Sequence, residues 1–132
     1  MVTPKDYMSF IEAFLPDIFE SLCDTVSSVG RANKRIKKSV DRTLQFLDES
    51  LQIREENEKL KSIPILGAIE GSDVMEERIR SAKETALRPV DGFVIEGFQL
   101  DHNKEAMGNT ISTVTGLLPS EKIRFINGLY RP

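Results

Sequence analysis

The stretch PVDGFVIEGFQLDHNKEAMG, Pro89 to Gly108, opens as a short apolar strand and closes as a helix. Between them stand Glu96, Asp101, the only histidine, His102, and Asn103. In parallel α/β folds the carboxyl end of a strand is where ligands sit. Asp17 and Glu70 fall at comparable strand ends, so Asp17, Glu70, Glu96 and Asp101 are expected to share one rim. Acids there serve either a ligand or the next helix as caps and solvated side chains. His102 has no second histidine, and the one cysteine, Cys23, lies far from it in sequence, so no metal site is expected. Cys23 follows no nucleophile pattern, and Asp24 beside it is expected to raise its thiol pKa.

A second group is basic. Lys34, Arg35, Lys37 and Lys38, flanked by Arg31 and Arg42, open a long helix. Positive charge opposes the helix dipole there, so phosphate contact, as from tRNA, stands against a plain solvated first turn. The net charge of −3 gives the whole molecule no electrostatic pull on nucleic acid, so any such contact is local.

These residues must be positioned by regular elements. Thr3, Pro4 and Asp6 make a helix start, with Tyr7, Phe10, Ile11 and Phe14 at helical spacing. Ile18 to Leu22 is a short strand. Ile36, Val40, Leu44, Leu47 and Leu51 stripe a helix from about Lys34 to about Lys61, with a charged end projecting into water. Ile63 to Ile69 is apolar throughout, as in a strand buried on both faces. Asp73 and Glu76 form a capping pair for a helix carrying Val74, Met75, Ile79, Ala82 and Ala86. GFVIEGF is the next strand, Asn103 caps a helix bearing Met107, Ile111, Val114 and Leu118, and KIRFINGL is the last strand. Gly108 and Gly116 hint at close helix packing; Met8, Met75 and Met107 are core.

Strands separated by helices are parallel, in right-handed crossovers. The fold class is therefore α/β. A closed barrel needs eight strands, so residues 1–132 are expected to be one fragment, a half-barrel, with bare edges and an uncovered apolar face. A second copy, as a homodimer, or more chain would cover that face. A lone cysteine excludes an internal disulfide. No apolar run approaches the ~20 residues of a membrane span.

SVDRTLQFLDESL, ILGAIEGS, RPVDGFVIEGFQL and LPSEKIRFINGLYRP, in this order, resemble the tRNA-guanine transglycosylase family, and more narrowly its eukaryotic non-catalytic branch. The resemblance implies a (β/α)8 barrel with a zinc-binding insertion and an exchange of guanine for queuine at the tRNA wobble position. It also implies a cytoplasmic protein, peripheral at the mitochondrial outer membrane, partnered by a catalytic queuine tRNA-ribosyltransferase subunit and tRNA. The base-receiving Asp-Ile pair of the catalytic relatives matches Asp17–Ile18. Their valine-glutamine-glycine-glycine turn matches Ile69–Glu70–Gly71–Ser72, and their glycine-glycine-leucine turn matches Glu96–Gly97–Phe98. The acid ending that turn is replaced by His102. Their methionine-glycine-valine-glycine end matches Asn127–Gly128–Leu129–Tyr130.

The departures have consequences. A glutamine amide donates and accepts, whereas ionised Glu70 only accepts. Ser72 and Tyr130 put bulk where a flat base approaches. The family's nucleophile and zinc cysteines lie downstream of this stretch and its general acid upstream of Thr3. The expectation is a non-catalytic accessory role, with no catalytic residue, relics of a base site at Asp17, Glu70 and Gly97, tRNA contact at Lys34, Arg35, Lys37 and Lys38, and zinc held outside this chain. The alternatives are part of a catalytic transglycosylase and an unrelated open-sheet binding module.

Overall fold

The computed structural model describes residues 1–26, 32–98 and 104–128. Helix and strand alternate: α1 (Pro4–Phe14), β1 (Phe19–Glu20), α2 (Asn33–Glu55), β2 (Ile65–Ile69), α3 (Met75–Ala86), β3 (Gly92–Ile95), α4 (Lys104–Thr115) and β4 (Ile123–Ile126). The four strands form one parallel sheet in the order β1-β2-β3-β4 and do not close on themselves. Phe19 pairs with Ile65, Gly67 with Phe93, and Phe93 with Arg124.

The helices pack side by side, α1 on α2, α2 on α3 and α3 on α4. A side chain at Gly67 would meet Thr85, Val90 and Leu47, so that side of β2 faces the helices. Pleating then turns Leu66, Ala68 and Glu70 to the opposite side. Gly92 belongs to that side too, because a Cβ there would strike Leu66 and Ile123. The helix side holds the core: Phe19, Leu47, Ile65, Ile69, Ala82, Phe93, Ile95 and Val114, closed by Met8 and Ile11 from α1. The other side is open at β4, where Ile123 and Phe125 are exposed. This is the half-barrel arrangement: on the side away from the helices Leu66, Ala68 and Val94 are buried, and the uncovered part is confined to β4.

Local rules explain most boundaries. Thr3 and Asp6 form a reciprocal capping box with bonds of 3.1 Å each way, and Pro4 sits in the first turn. Leu15 ends α1 in the left-handed region, φ 49°. β1 is shorter than the expected Ile18–Leu22, although Ser21 N–H still donates to Leu66 O at 2.9 Å. The chain then turns to α2, where Thr43 Oγ1 accepts from Asp24 N–H.

Helix α2 ends at Glu55, before the expected Lys61. Asn57 stops it: its side-chain oxygen accepts from the backbone of Lys59 and Leu60, an Asx turn, and its amide reaches Glu12. The charged tail therefore folds back, and Leu60 is fully buried rather than held in water. Asp73 and Glu76 do not cap α3: its N-cap is Val74, and Val74 N–H donates to Gly71 O. The buried face of α3 is Arg78, Ser81, Ala82 and Thr85, so Val74, Met75 and Ile79 flank the core. Met8 is buried, and Met107 packs half-buried at the core's margin. Gly108 faces solvent with no atom near it, so it mediates no close helix packing. The expected cap Asn103 lies outside the described residues, with Asp101 and His102.

Candidate functional site at the sheet's C-terminal rim

β2 and β3 each run directly into a glutamate. Glu96 N–H continues the ladder to Ile69 O at 3.0 Å, and Asn127 N–H continues it to Ile95 O at 3.0 Å. Glu70, Glu96 and Asn127 thus form one row across β2, β3 and β4, on the open side of the sheet. Asn127 Nδ2 donates to both oxygens of Glu96, at 3.1 and 3.2 Å. From β1, Glu20 brings its carboxyl to within 4.8 Å of that of Glu96. Cys23 Sγ lies 3.8 Å from Glu20 Oε2, and Thr25 Oγ1 donates to Glu70 Oε2 at 2.8 Å. Tyr7 of α1 donates to the Glu20 carbonyl at 2.6 Å.

Three buried or half-buried carboxyls in one place cannot all ionise cheaply. Burial first, then the neighbouring Glu96 and Glu70, push Glu20 up to about 9. Burial raises Glu70 to about 7, against the opposing pull of Thr25 and Arg78. Burial, Glu70 and Glu20 drive the Cys23 thiol far above its ordinary range. Burial and the rim glutamates, rather than Asp24, raise the thiol. Asp24 is paired with Arg35 at 2.9 Å and Arg42 at 3.5 Å.

Arg78 underpins the rim. It is fully buried in α3, donates to Ser72 O at 2.7 Å and Ile69 O at 3.1 Å, and lies 4.9 Å over the Phe98 ring. It also explains two glycines. Gly97 has φ +94°, and a Cβ there would stand 2.9 Å from the Arg78 guanidinium. Gly71 has φ +122°, and a Cβ there would strike the backbone of Glu77 and Arg78. Ser72 follows Gly71 in the left-handed region at φ 51°.

The sequence-derived residues therefore separate. Glu70 and Gly97 sit on the rim. Asp17 does not: it is exposed and precedes β1, at the strand's amino end, so it stands across the sheet from the other two. Of the basic cluster, Arg35 is tied to Asp24 and Lys37 pairs with Asp41 at 3.3 Å, while Lys34 and Lys38 are exposed. Sequence reasoning missed Glu20, Thr25 and Arg78, and named Asn127 only within the match to the family's last strand end. Alternation along Ile18–Leu22 was the available signal for Glu20: with Phe19 in the core, Glu20 must face the other way.

The resemblance implies zinc, and Glu20, Cys23 and Glu96 have ligand atoms within 4.8 Å of one another. They do not fit that ion. Three protein groups fall short of the four of a closed structural zinc site, only one of them is a sulfur, and Glu96 already accepts two bonds from Asn127.

A parallel sheet with helices on one face, alternating strictly with its strands and ending in a polar rim, is a portion of a (β/α)-barrel architecture. The particular family is given by sequence: the queuine tRNA-ribosyltransferase profile matches residues 1–132, and the chain belongs to that family. It is 47% identical over 133 residues to queuine tRNA-ribosyltransferase accessory subunit 2 of Xenopus laevis, covering 99% of this chain and 32% of the relative. The protein of the same name from Homo sapiens is 48% identical over 134 residues, with 99% and 32% covered. That from Trichoplax adhaerens is 46% identical over 132 residues, with 99% and 36% covered. The chain thus spans about a third of the length of the curated relatives it matches.

Proposed function

We propose that this chain belongs to a non-catalytic accessory subunit that works beside a catalytic queuine tRNA-ribosyltransferase subunit, supporting exchange of guanine for queuine at the tRNA wobble position. The observation that carries this reading is the near-complete match, at 46 to 48% identity, to proteins named as the accessory subunit. The rim chemistry agrees with it. A purine edge needs donors as well as acceptors, and here the rim presents carboxyls, Glu70 accepting from Thr25 and Glu96 from Asn127. The role of the chain is then assembly and tRNA positioning, with Lys34 and Lys38 the exposed lysines of the basic helix start. Zinc belongs to residues outside 1–132, and the protein works in the cytoplasm, peripheral to the mitochondrial outer membrane.

Co-expression with the catalytic subunit tests the assembly. The protein in its full-length form should co-elute with the catalytic subunit, and the complex should retain tRNA more tightly than the catalytic subunit alone. Separate elution, with tRNA affinity unchanged by mixing, overturns the proposal.

A further inference from the structure

We propose that Asp24 is a lock on one face of α2: it holds Arg35 and Arg42 in the free protein, and a phosphodiester of tRNA takes the two guanidiniums from it on binding. The inference rests on the tRNA-positioning role proposed above and names how that contact is controlled. Spacing comes first. Positions 38 and 42 lie three and seven residues after 35, so Arg35, Lys38 and Arg42 stand in one row along α2. Asp24, in the segment after β1, meets that row. Arg35 Nη1 and Nη2 donate to its two oxygens at 2.9 and 3.2 Å, a bidentate pair, and Arg42 Nη1 reaches one of the same oxygens at 3.5 Å. The backbone N–H of Asp24 donates to Thr43 Oγ1 at 3.0 Å, so the acid is fixed against the helix. The arginines are the parts that can swing: their side chains are 34% and 33% exposed, against 15% for Asp24.

Charge balance separates this row from the rest of the basic helix start. Toward α3, Lys37 pairs with Asp41 at 3.3 Å, and Arg80 pairs with Asp41 at 2.7 Å and Glu77 at 2.6 Å, so two cations meet two acids. On the other side, among the described residues, Asp24 is the acid that pairs with Arg35 and Arg42, while Lys38 and the adjacent Lys34 are exposed. Two arginines converging on one carboxylate make a fork that also fits a phosphate, because both anions offer paired oxygens to a guanidinium. A polyanion can open such a lock. A partly exposed ion pair is weak by itself, whereas an RNA backbone engages several cations of the row at once and releases their counterions. Asp24 thus sets a threshold: a lone small anion does not displace it, and a run of phosphates along the row does.

The test titrates tRNA onto the complex of the full-length protein with the catalytic subunit, at about 50 to 200 mM salt. Asp24→Asn keeps an oxygen for Arg35 but removes the charge, and should bind tRNA about three- to tenfold more tightly. It should also steepen the fall of log affinity with log salt by about one, because no carboxylate remains to take up a cation when the arginines leave. Arg35→Gln with Arg42→Gln should weaken binding about tenfold, and adding Asp24→Asn to that pair should restore nothing. Asp41→Asn removes the same charge from the α3 side and should alter affinity less than about twofold. Unchanged affinity in Asp24→Asn overturns the proposal. So does a gain that persists without the two arginines or that Asp41→Asn reproduces, since either is a general charge effect. Should Asp24→Asn fail to fold, the paired arginine variant decides: tRNA affinity equal to that of the unsubstituted complex overturns the lock. A complex that does not form, or that holds tRNA no more tightly than the catalytic subunit alone, contradicts the accessory role itself and this inference with it.

Discussion

Glu70 sits almost sealed at the end of β2, with Thr25 as its hydroxyl donor and Arg78 as its nearest counter-charge. Its folded-state pKa of about 7 lies above the ordinary 4.5, so between these values the folded protein holds a proton that the unfolded chain has released. Stability from this group is full below about pH 4.5 and falls by about 1.4 kcal/mol per pH unit until the folded group ionises. Glu20 extends the same decline toward about 9. Chemical denaturation should therefore show the protein less stable at about pH 8 than at about pH 5, with Glu70→Gln recovering about 1–3 kcal/mol at the higher pH. An equal loss in the variant would contradict the assignment. Two glycines give an opposed pair. Gly71→Ala combines a left-handed φ with a backbone collision and should cost about 2 kcal/mol or more, read as a lower denaturation midpoint. Gly108→Ala, exposed in α4 with nothing beside it, should add about 0.5–1 kcal/mol of stability, read as a higher midpoint.

Elements were legible wherever one face repeats. The stripe Ile36, Val40, Leu44, Leu47 gave α2, and the unbroken Ile65–Ile69 run gave β2, because periodicity and burial are the same fact seen twice. Boundaries set by a single side chain were not legible. Asn57 ends α2 through an Asx turn whose partners, Lys59 and Leu60, are backbone groups that no hydropathy pattern marks. Arg78 was hidden for another reason. A charged residue in a helix pattern implies a solvent face, whereas here the carbonyls of Ile69 and Ser72, the Phe98 ring and the nearby Glu70 help make burial tolerable. Asp17 was placed on the rim by its match to the family's base-receiving Asp-Ile pair, although the strand was read to follow it; the strand begins two residues later, at Phe19. Where the caps were read correctly, their loss should be measurable. Thr3→Ala removes one half of the capping box and should lower stability by about 1 kcal/mol in thermal or urea unfolding. No change would mean that α1 is held by Met8 and Ile11 alone.

At the scale of the molecule, the apolar face of edge strand β4 is the part of the sheet that remains open. Ile123 and Phe125 are exposed on an edge strand, and unpaired apolar edges invite association. Light scattering on the 132-residue chain should give a mass that rises with concentration, and Phe125→Lys should lower it without shifting the unfolding midpoint; a monodisperse monomer at all concentrations would argue against the half-barrel face as an adhesive surface. The rim at the strand ends carries acids braced against each other, in a chain whose similar proteins are named accessory subunits. The central claim is that the protein supports base exchange and does not perform it. Its most direct test is incorporation of labelled guanine into tRNA by the purified full-length protein, alone and with the catalytic subunit. The account predicts no incorporation above background alone and clear incorporation with the partner; turnover by the protein alone would contradict it.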